Sequence, residues 1–125
     1  MRSREPRWVT REMLLAIQRG PVRDRHQAIV ESALAAPRKL YDRDPSTDLA
    51  TLAAAYATAL AQTHGFMDGS KRAAFLAAYV FLGLNGCDMD ATDVEVAAIV
   101  ERLASREMTE AEVAKWLHGV ITRPS

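Results

Sequence analysis

From Ala73 to Leu84 the chain carries no charged residue and no proline, and its one glycine is Gly83. A segment this long and this apolar reads as a helix, and a helix with no polar face must be covered on several sides. The run therefore predicts a central buried helix, and with it an all-α domain. Leu49 to Gln62 is a second such segment, alanine-rich, with Leu49, Leu52, Ala53, Tyr56, Leu60 and Thr63 at helical spacing. Between the two runs lies Thr63-His64-Gly65-Phe66-Met67-Asp68-Gly69-Ser70-Lys71-Arg72. A helix–helix connection needs only a few turn-forming residues. It does not need a histidine, a carboxylate and two adjacent cations.

Those residue types suit an anion site. Gly69 lets the chain turn tightly and lets a ligand approach the backbone. Ser70 is a good N-cap for the second helix, whose free N–H groups and positive dipole end face the turn. Lys71 and Arg72 add full charge there. Asp68 is a hard oxygen ligand suited to a magnesium ion that also holds phosphate. His64 titrates near neutral pH and can take a proton from a hydroxyl. Phe66 is expected to anchor the loop in the core. A zinc site needs three or four ligands, which His64 and Asp68 alone do not supply.

The spacing His64-x-Phe66-x-Asp68-Gly69-Ser70-Lys71-Arg72 resembles the signature of the Fic/Doc superfamily, specifically its Doc ("death on curing") branch. The Fic pattern reads H-x-F-x-[DE]-G-N-G-R-x-x-R and the Doc pattern H-x-F-x-[DN]-[AG]-N-K-R. Lys71 stands where Fic has its second glycine and Phe75 where Fic has its last arginine; both departures point to Doc. Ser70 stands where both branches carry asparagine. The similarity continues through Glu31-Ser32-Ala33-Leu34, the run from Leu49 to Tyr56, Asn85-Gly86 and the C-terminal helices, and covers most of the 125 residues. Against the family, the segment between Ile17 and Val22 is shortened.

The resemblance implies a compact Fido-type helical bundle, a single domain over residues 1–125. It implies a toxin of a toxin–antitoxin pair that transfers the γ-phosphoryl of ATP to a hydroxyl of a translation factor, elongation factor Tu, and stops protein synthesis. His64 would be the general base, Asp68 the magnesium ligand, Gly69 and Ser70 the phosphate cradle, and Lys71 and Arg72 the charges on the transferred group. Two alternatives stay open. Ser70 and the shortened first helix fit a catalytically impaired protein that binds nucleotide or antitoxin. Fic relatives transfer AMP, so an atypical adenylyl transferase is the other. Glycine at position 71 would leave room for a pyrophosphate, and a lysine reshapes that space.

The remaining sequence sets bounds. Hydrophobic residues make up 49% of the chain, which excludes a disordered class. No apolar run approaches the roughly 20 residues that span a bilayer. Residues 1–7 lack the apolar core of a signal peptide and read as a flexible basic arm; a cytoplasmic protein is the expectation. The single cysteine, Cys87, cannot close an internal disulfide and reads as a small part-buried residue. Residues 1–43 hold ten Lys and Arg against five Asp and Glu, and residues 44–125 hold six against eleven, so a neutral chain has a basic third and an acidic remainder. The arginines are scattered without interleaved aromatics, which argues against direct nucleic-acid binding.

Helix ends can be read from their caps. Thr10 caps a first helix with a stripe of Met13, Leu14 and Ile17, and Val9 with Leu14 forms a staple; Gly20-Pro21 ends it. Asp24 with Gln27 starts a second, in whose first turn His26 reads as a surface residue, and Pro37 ends it. Tyr41 to Thr47 reads as a polar loop. Thr92 with Glu95 and Thr109 with Glu112 are capping boxes. Val113, Trp116, Leu117 and Val120 form the inward stripe of the last helix, and His118 falls outside it. No strand and no internal repeat are expected.

Overall fold

The computed structural model describes residues 5–17, 27–62 and 70–123, with side chains at all of these except Leu15, Ile17, Gln27, Ala28, Ile29, Ser70 and Lys71. Six helices follow one another among the described residues: α1 (Arg11–Ile17), α2 (Gln27–Arg43), α3 (Leu49–Ala61), α4 (Ser70–Leu84), α5 (Asp93–Ala104) and α6 (Glu110–Val120). The fold is all-α, as the apolar runs and the family resemblance predict. One departure is a short antiparallel pair, β1 (Asp88–Met89) with β2 (Ile121–Thr122), in register Asp88 to Thr122 and Met89 to Ile121. It ties the end of α6 back to the α4–α5 connection. Two residues are too few to leave an alternating pattern, so nothing in the sequence announces it. No helix among the described residues is long and apolar enough to cross a membrane.

The caps form as their chemistry dictates. Thr10 Oγ1 accepts from the Met13 N–H at 3.1 Å. At α5 the Glu95 N–H donates to Thr92 Oγ1 and the Thr92 N–H to Glu95 Oε1, at 3.1 and 2.9 Å. At α6 the same exchange joins Thr109 and Glu112, at 3.1 and 2.8 Å. These bonds also hold the Glu112 carboxyl below the usual range. A further cap, Asp48 accepting from the Thr51 N–H at 2.8 Å, starts α3. Gly86 takes φ +82° after α4, the left-handed turn that closes a helix, and Cys87 N–H reaches back to Leu82 O at 2.8 Å. Cys87 is buried.

Three readings are corrected. Pro37 does not end α2: it lies inside a helix that runs on to Arg43. A proline there lacks one N–H and crowds the preceding turn, at a cost of about 3 kcal/mol. Against that, Pro37 is fully buried and the turns beyond it carry Leu40 and Tyr41 against the core. The polar loop accordingly starts at Asp44, whose Oδ1 accepts from Ser46 Oγ at 2.6 Å and from the Ser46 N–H at 3.0 Å. The central helix is α3 rather than α4. Leu49, Ala50, Leu52 to Ala57, Leu60 and Ala61 are all buried, and α3 packs against α2, α4, α5 and α6. Helix α4 buries Ala73, Ala74, Ala77, Ala78, Phe81 and Leu82 but leaves Tyr79 and Gly83 outside. Met13 likewise faces outward, while Val9 and Leu14 are buried as a staple requires. The helix start at Asp24 and the surface position of His26 lie outside the described residues.

The segment before α1 is fastened from Glu5 onward, where the sequence suggests a free arm to Arg7. Asn85 Oδ1 accepts from the Arg7 N–H at 2.9 Å, and its Nδ2 donates to Arg7 O at 2.9 Å and Phe81 O at 2.8 Å. Trp8 stacks on Phe81 at 5.9 Å and meets Tyr41 edge-on at 5.6 Å, and the Arg38 guanidinium sits over its ring. Arg38 also pairs with Glu5 at 3.2 Å. Asn85→Ala removes all three side-chain bonds. It is predicted to cost about 2 kcal/mol, read as a melting temperature lower by several degrees; an unchanged melt would show the clasp to be idle.

Beneath the clasp, the Tyr56 hydroxyl is fully buried and accepts from the Val9 N–H at 2.9 Å. Burial pushes its pKa up to about 12, partly offset by that bond and by Arg38. Unfolded tyrosine ionises near pH 10. The neutral phenol thus contributes stability in full below about pH 10, and loses it as pH rises through about 12. Tyr56→Phe leaves the buried Val9 N–H without its acceptor, which should cost about 1–3 kcal/mol at neutral pH. It should also flatten the fall in stability above pH 10. Denaturant midpoints measured at neutral and alkaline pH check both parts.

Candidate active site

The sequence places the chemistry in the connection between α3 and α4, and both ends of that connection are built firmly. Helix α3 closes on Gln62, whose N–H reaches Thr58 O at 3.2 Å. The Gln62 side chain then crosses to the end of α5: Nε2 donates to Leu103 O at 3.2 Å, and Oε1 accepts from Arg106 Nη1 at 3.0 Å. Arg106 itself holds φ 66°, in the left-handed turn that ends α5, where Glu107 N–H returns to Arg102 O at 2.8 Å. The chain therefore enters the connection from a point pinned to two helices. Neither Gln62 nor Arg106 stands out in the sequence; a glutamine at a helix end carries no local sign of a partner 41 residues away.

The exit is the first turn of α4. The helix starts at Ser70, so Ser70 is its first helical residue rather than the capping residue before it. One residue is within the usual spread of helix boundaries. The first N–H groups of any helix have no partner inside it and carry the positive end of the dipole. Here they belong to Ser70, Lys71 and Arg72, with Ala73 and Ala74 buried immediately behind them. The Arg72 side chain is exposed on this turn. Its guanidinium and the first-turn N–H groups, which have no acceptor within the helix, are donors of the kind an anion needs, at one end of a helix anchored in the core. Of the remaining candidates, His64, Phe66, Asp68 and Gly69 lie outside the described residues, as do the side chains of Ser70 and Lys71.

Arg72 also opens a groove between α4 and α5 of about 610 Å³. Phe75, Leu76, Val96, Ala97 and Val100 line it, with Asp93 and Glu101 at its margins. Phe75, at the position where the Fic pattern has its last arginine, stacks on Tyr79 at 5.8 Å. An aromatic ring there supplies an apolar wall instead of a second cation. The described edge of the site is thus cationic at Arg72 and apolar beyond it.

A family model described as Fic/DOC matches residues 7–82, from the clasped segment through the connection to most of α4. The chain belongs to the Fic/DOC family. It is also 33% identical over 103 residues to a protein described as Toxin Doc from Mycolicibacterium smegmatis (strain ATCC 700084 / mc(2)155), covering 80% of this chain and 79% of the relative. Within the Fic/DOC family the likeness to that relative places the chain on the Doc side, in agreement with Lys71 and Phe75. The family match encloses every residue of the His64 to Arg72 signature. Fic/DOC membership also accounts for the arrangement seen: two packed helices joined by a connection whose exit is a helix N-terminus.

Proposed function

We propose that this protein is a Doc-like toxin that transfers the γ-phosphoryl group of ATP to a hydroxyl of elongation factor Tu, acting in the cytoplasm as one domain over residues 1–125 and held in check by an antitoxin. The observation that carries the reading is the start of α4. The first-turn N–H groups of α4 and the Arg72 guanidinium stand at the end of the His64–Arg72 signature, in a chain related to Toxin Doc. Anion donors of this kind fit a polyphosphate, the group that phosphoryl transfer must hold and neutralise.

The roles follow from the chemistry of each residue. His64 takes the proton of the target hydroxyl as its oxygen forms the new bond to the γ-phosphorus. The bond from that phosphorus to the β-bridging oxygen breaks, and ADP leaves. The backbone N–H groups of Gly69 and Ser70 bind phosphate oxygens. Lys71 and Arg72 hold the transferred group while its charge spreads in the transition state. Asp68 is the carboxylate that would hold magnesium, which when bound neutralises phosphate charge. Phe66 anchors the connection. Lys71 and Phe75 favour phosphoryl over adenylyl transfer, because both depart from the Fic pattern.

Ser70 favours a second reading, a weak or inactive member that still binds nucleotide or antitoxin. A cell-free translation extract separates the two. Under the first, the added protein halts incorporation of amino acids and excess unmodified elongation factor Tu restores it. Continued translation at high concentrations of the protein supports the second. Inhibition that excess elongation factor Tu does not relieve would contradict the assigned target.

A further inference from the structure

We propose that Gln62 and Arg106 are a positioning pair for phosphoryl transfer: together they fix where the connection carrying His64 leaves α3. The proposal rests on the reading of His64 as the general base. Its first support is the geometry of the pair. Gln62 is the C-cap of α3. Its Nε2 donates to Leu103 O at 3.2 Å, and its Oε1 accepts from Arg106 Nη1 at 3.0 Å. A carbonyl only accepts and a guanidinium only donates, so a single orientation of the amide satisfies both. The two partners belong to one turn, because the Arg106 N–H itself donates to Leu103 O at 3.2 Å. Two bonds to one turn fix the direction of the Gln62 side chain as well as its place. One bond alone would let it swing.

The second support is the backbone of Arg106. With the Arg106 N–H on Leu103 O and the Glu107 N–H on Arg102 O, the end of α5 is a Schellman turn, and Arg106 holds its left-handed position at φ 66°. Glycine takes that conformation freely and is its usual occupant; a side chain there is strained. Among the described residues Arg106 is the one non-glycine residue with positive φ. Strain of this kind persists where the surroundings hold it, and it points to a use for the side chain. The contact that supplies one is the bond to Gln62, 44 residues away. His64 follows Gln62 by two residues. Two Cα steps of about 3.8 Å keep the pair within about 7.6 Å of each other. At that range a shift of about 1 Å at Gln62 carries to a general base, and a misplacement of that size costs up to about a hundredfold in rate.

The test uses the full chain with Arg106→Gly, Gln62→Met, the two combined, and Arg106→Lys. Arg106→Gly removes the guanidinium and the strain together, so the melting temperature should hold or rise. Gln62→Met keeps the length and helix propensity of the side chain without its amide. Each should lower kcat for γ-phosphoryl transfer to elongation factor Tu about tenfold to hundredfold, with the KM for ATP unchanged. The double variant should lose no more than the larger single loss, as one coupled pair requires. Arg106→Lys keeps a donor on a long stem and should recover part of the rate. A second readout needs no activity. The chain has three histidines, and His64→Ala assigns the His64 ring resonances. Arg106→Gly and Gln62→Met should both shift those resonances and leave those of His26 and His118 in place. Absence of transfer by wild type contradicts the proposed function alone, and the His64 resonances then decide whether the pair positions His64. Resonances unmoved in both variants, or wild-type kcat in both, overturn the proposal. A raised KM for ATP with kcat intact makes Arg106 a nucleotide contact and overturns it too. Rate lost only in step with melting temperature makes the pair structural and overturns it as well.

Discussion

Replacing His64 with alanine is expected to lower the rate of phosphoryl transfer by about 10²–10⁴-fold, the usual loss when a general base is removed. A hydroxyl is a poor nucleophile until its proton is accepted, and His64 is the one residue of the signature that accepts a proton near neutral pH. In sequence it falls between the two alanine-rich runs and belongs to neither. The substitution should therefore leave the melting temperature and the affinity for ATP unchanged within error. That combination separates catalysis from folding and from binding. Transfer at the wild-type rate would move the role of base to another residue. Loss of ATP affinity in step with rate would make His64 a binding residue.

Ser70→Asn is expected to raise activity or ATP affinity. Both branches of the family resemblance carry asparagine here, and Ser70 is the first residue of α4. Serine and asparagine have similar helix propensities, so stability should move by only a few tenths of a kcal/mol. They differ in reach and in donors: the amide offers two N–H groups further from the backbone, the hydroxyl one close in. One hydrogen bond to a charged group contributes about 1.5–3 kcal/mol. That converts to roughly a tenfold to hundredfold gain. Calorimetric titration with ATP and labelled transfer read the two components separately. Strong wild-type activity with no gain from asparagine would show that serine suffices.

What the sequence could reveal divides by the range of the interaction. Capping boxes at Thr92 and Thr109 are complete within four residues, so their donors and acceptors can be read directly and are found as read. The family and the all-α class were legible because a nine-position pattern and two apolar runs carry them. Pro37 was misread because the local rule is real but smaller than the burial of the turns that follow it. The central helix was misplaced because alanine gives no sign of which face it buries. Ala50, Ala54, Ala55 and Ala57 lie off the periodic stripe of α3 and are nonetheless buried, since small side chains let several helices close in around it. Tyr79 counted as apolar and proved to face outward. Asn85, Gln62 and Tyr56 act through partners 41 to 78 residues away, which no local pattern encodes.

The central claim is that this chain moves the γ-phosphoryl group of ATP onto elongation factor Tu. The most direct measurement incubates the purified protein and elongation factor Tu with magnesium and ATP labelled at either the γ or the α position, with wild type and Ser70→Asn in parallel. The account predicts γ-label on elongation factor Tu, none from the α-label, a larger signal with asparagine, and no signal once His64 is replaced by alanine. Transfer of the α-label would make the protein an adenylyl transferase. No transfer of either label by wild type or Ser70→Asn would contradict the account.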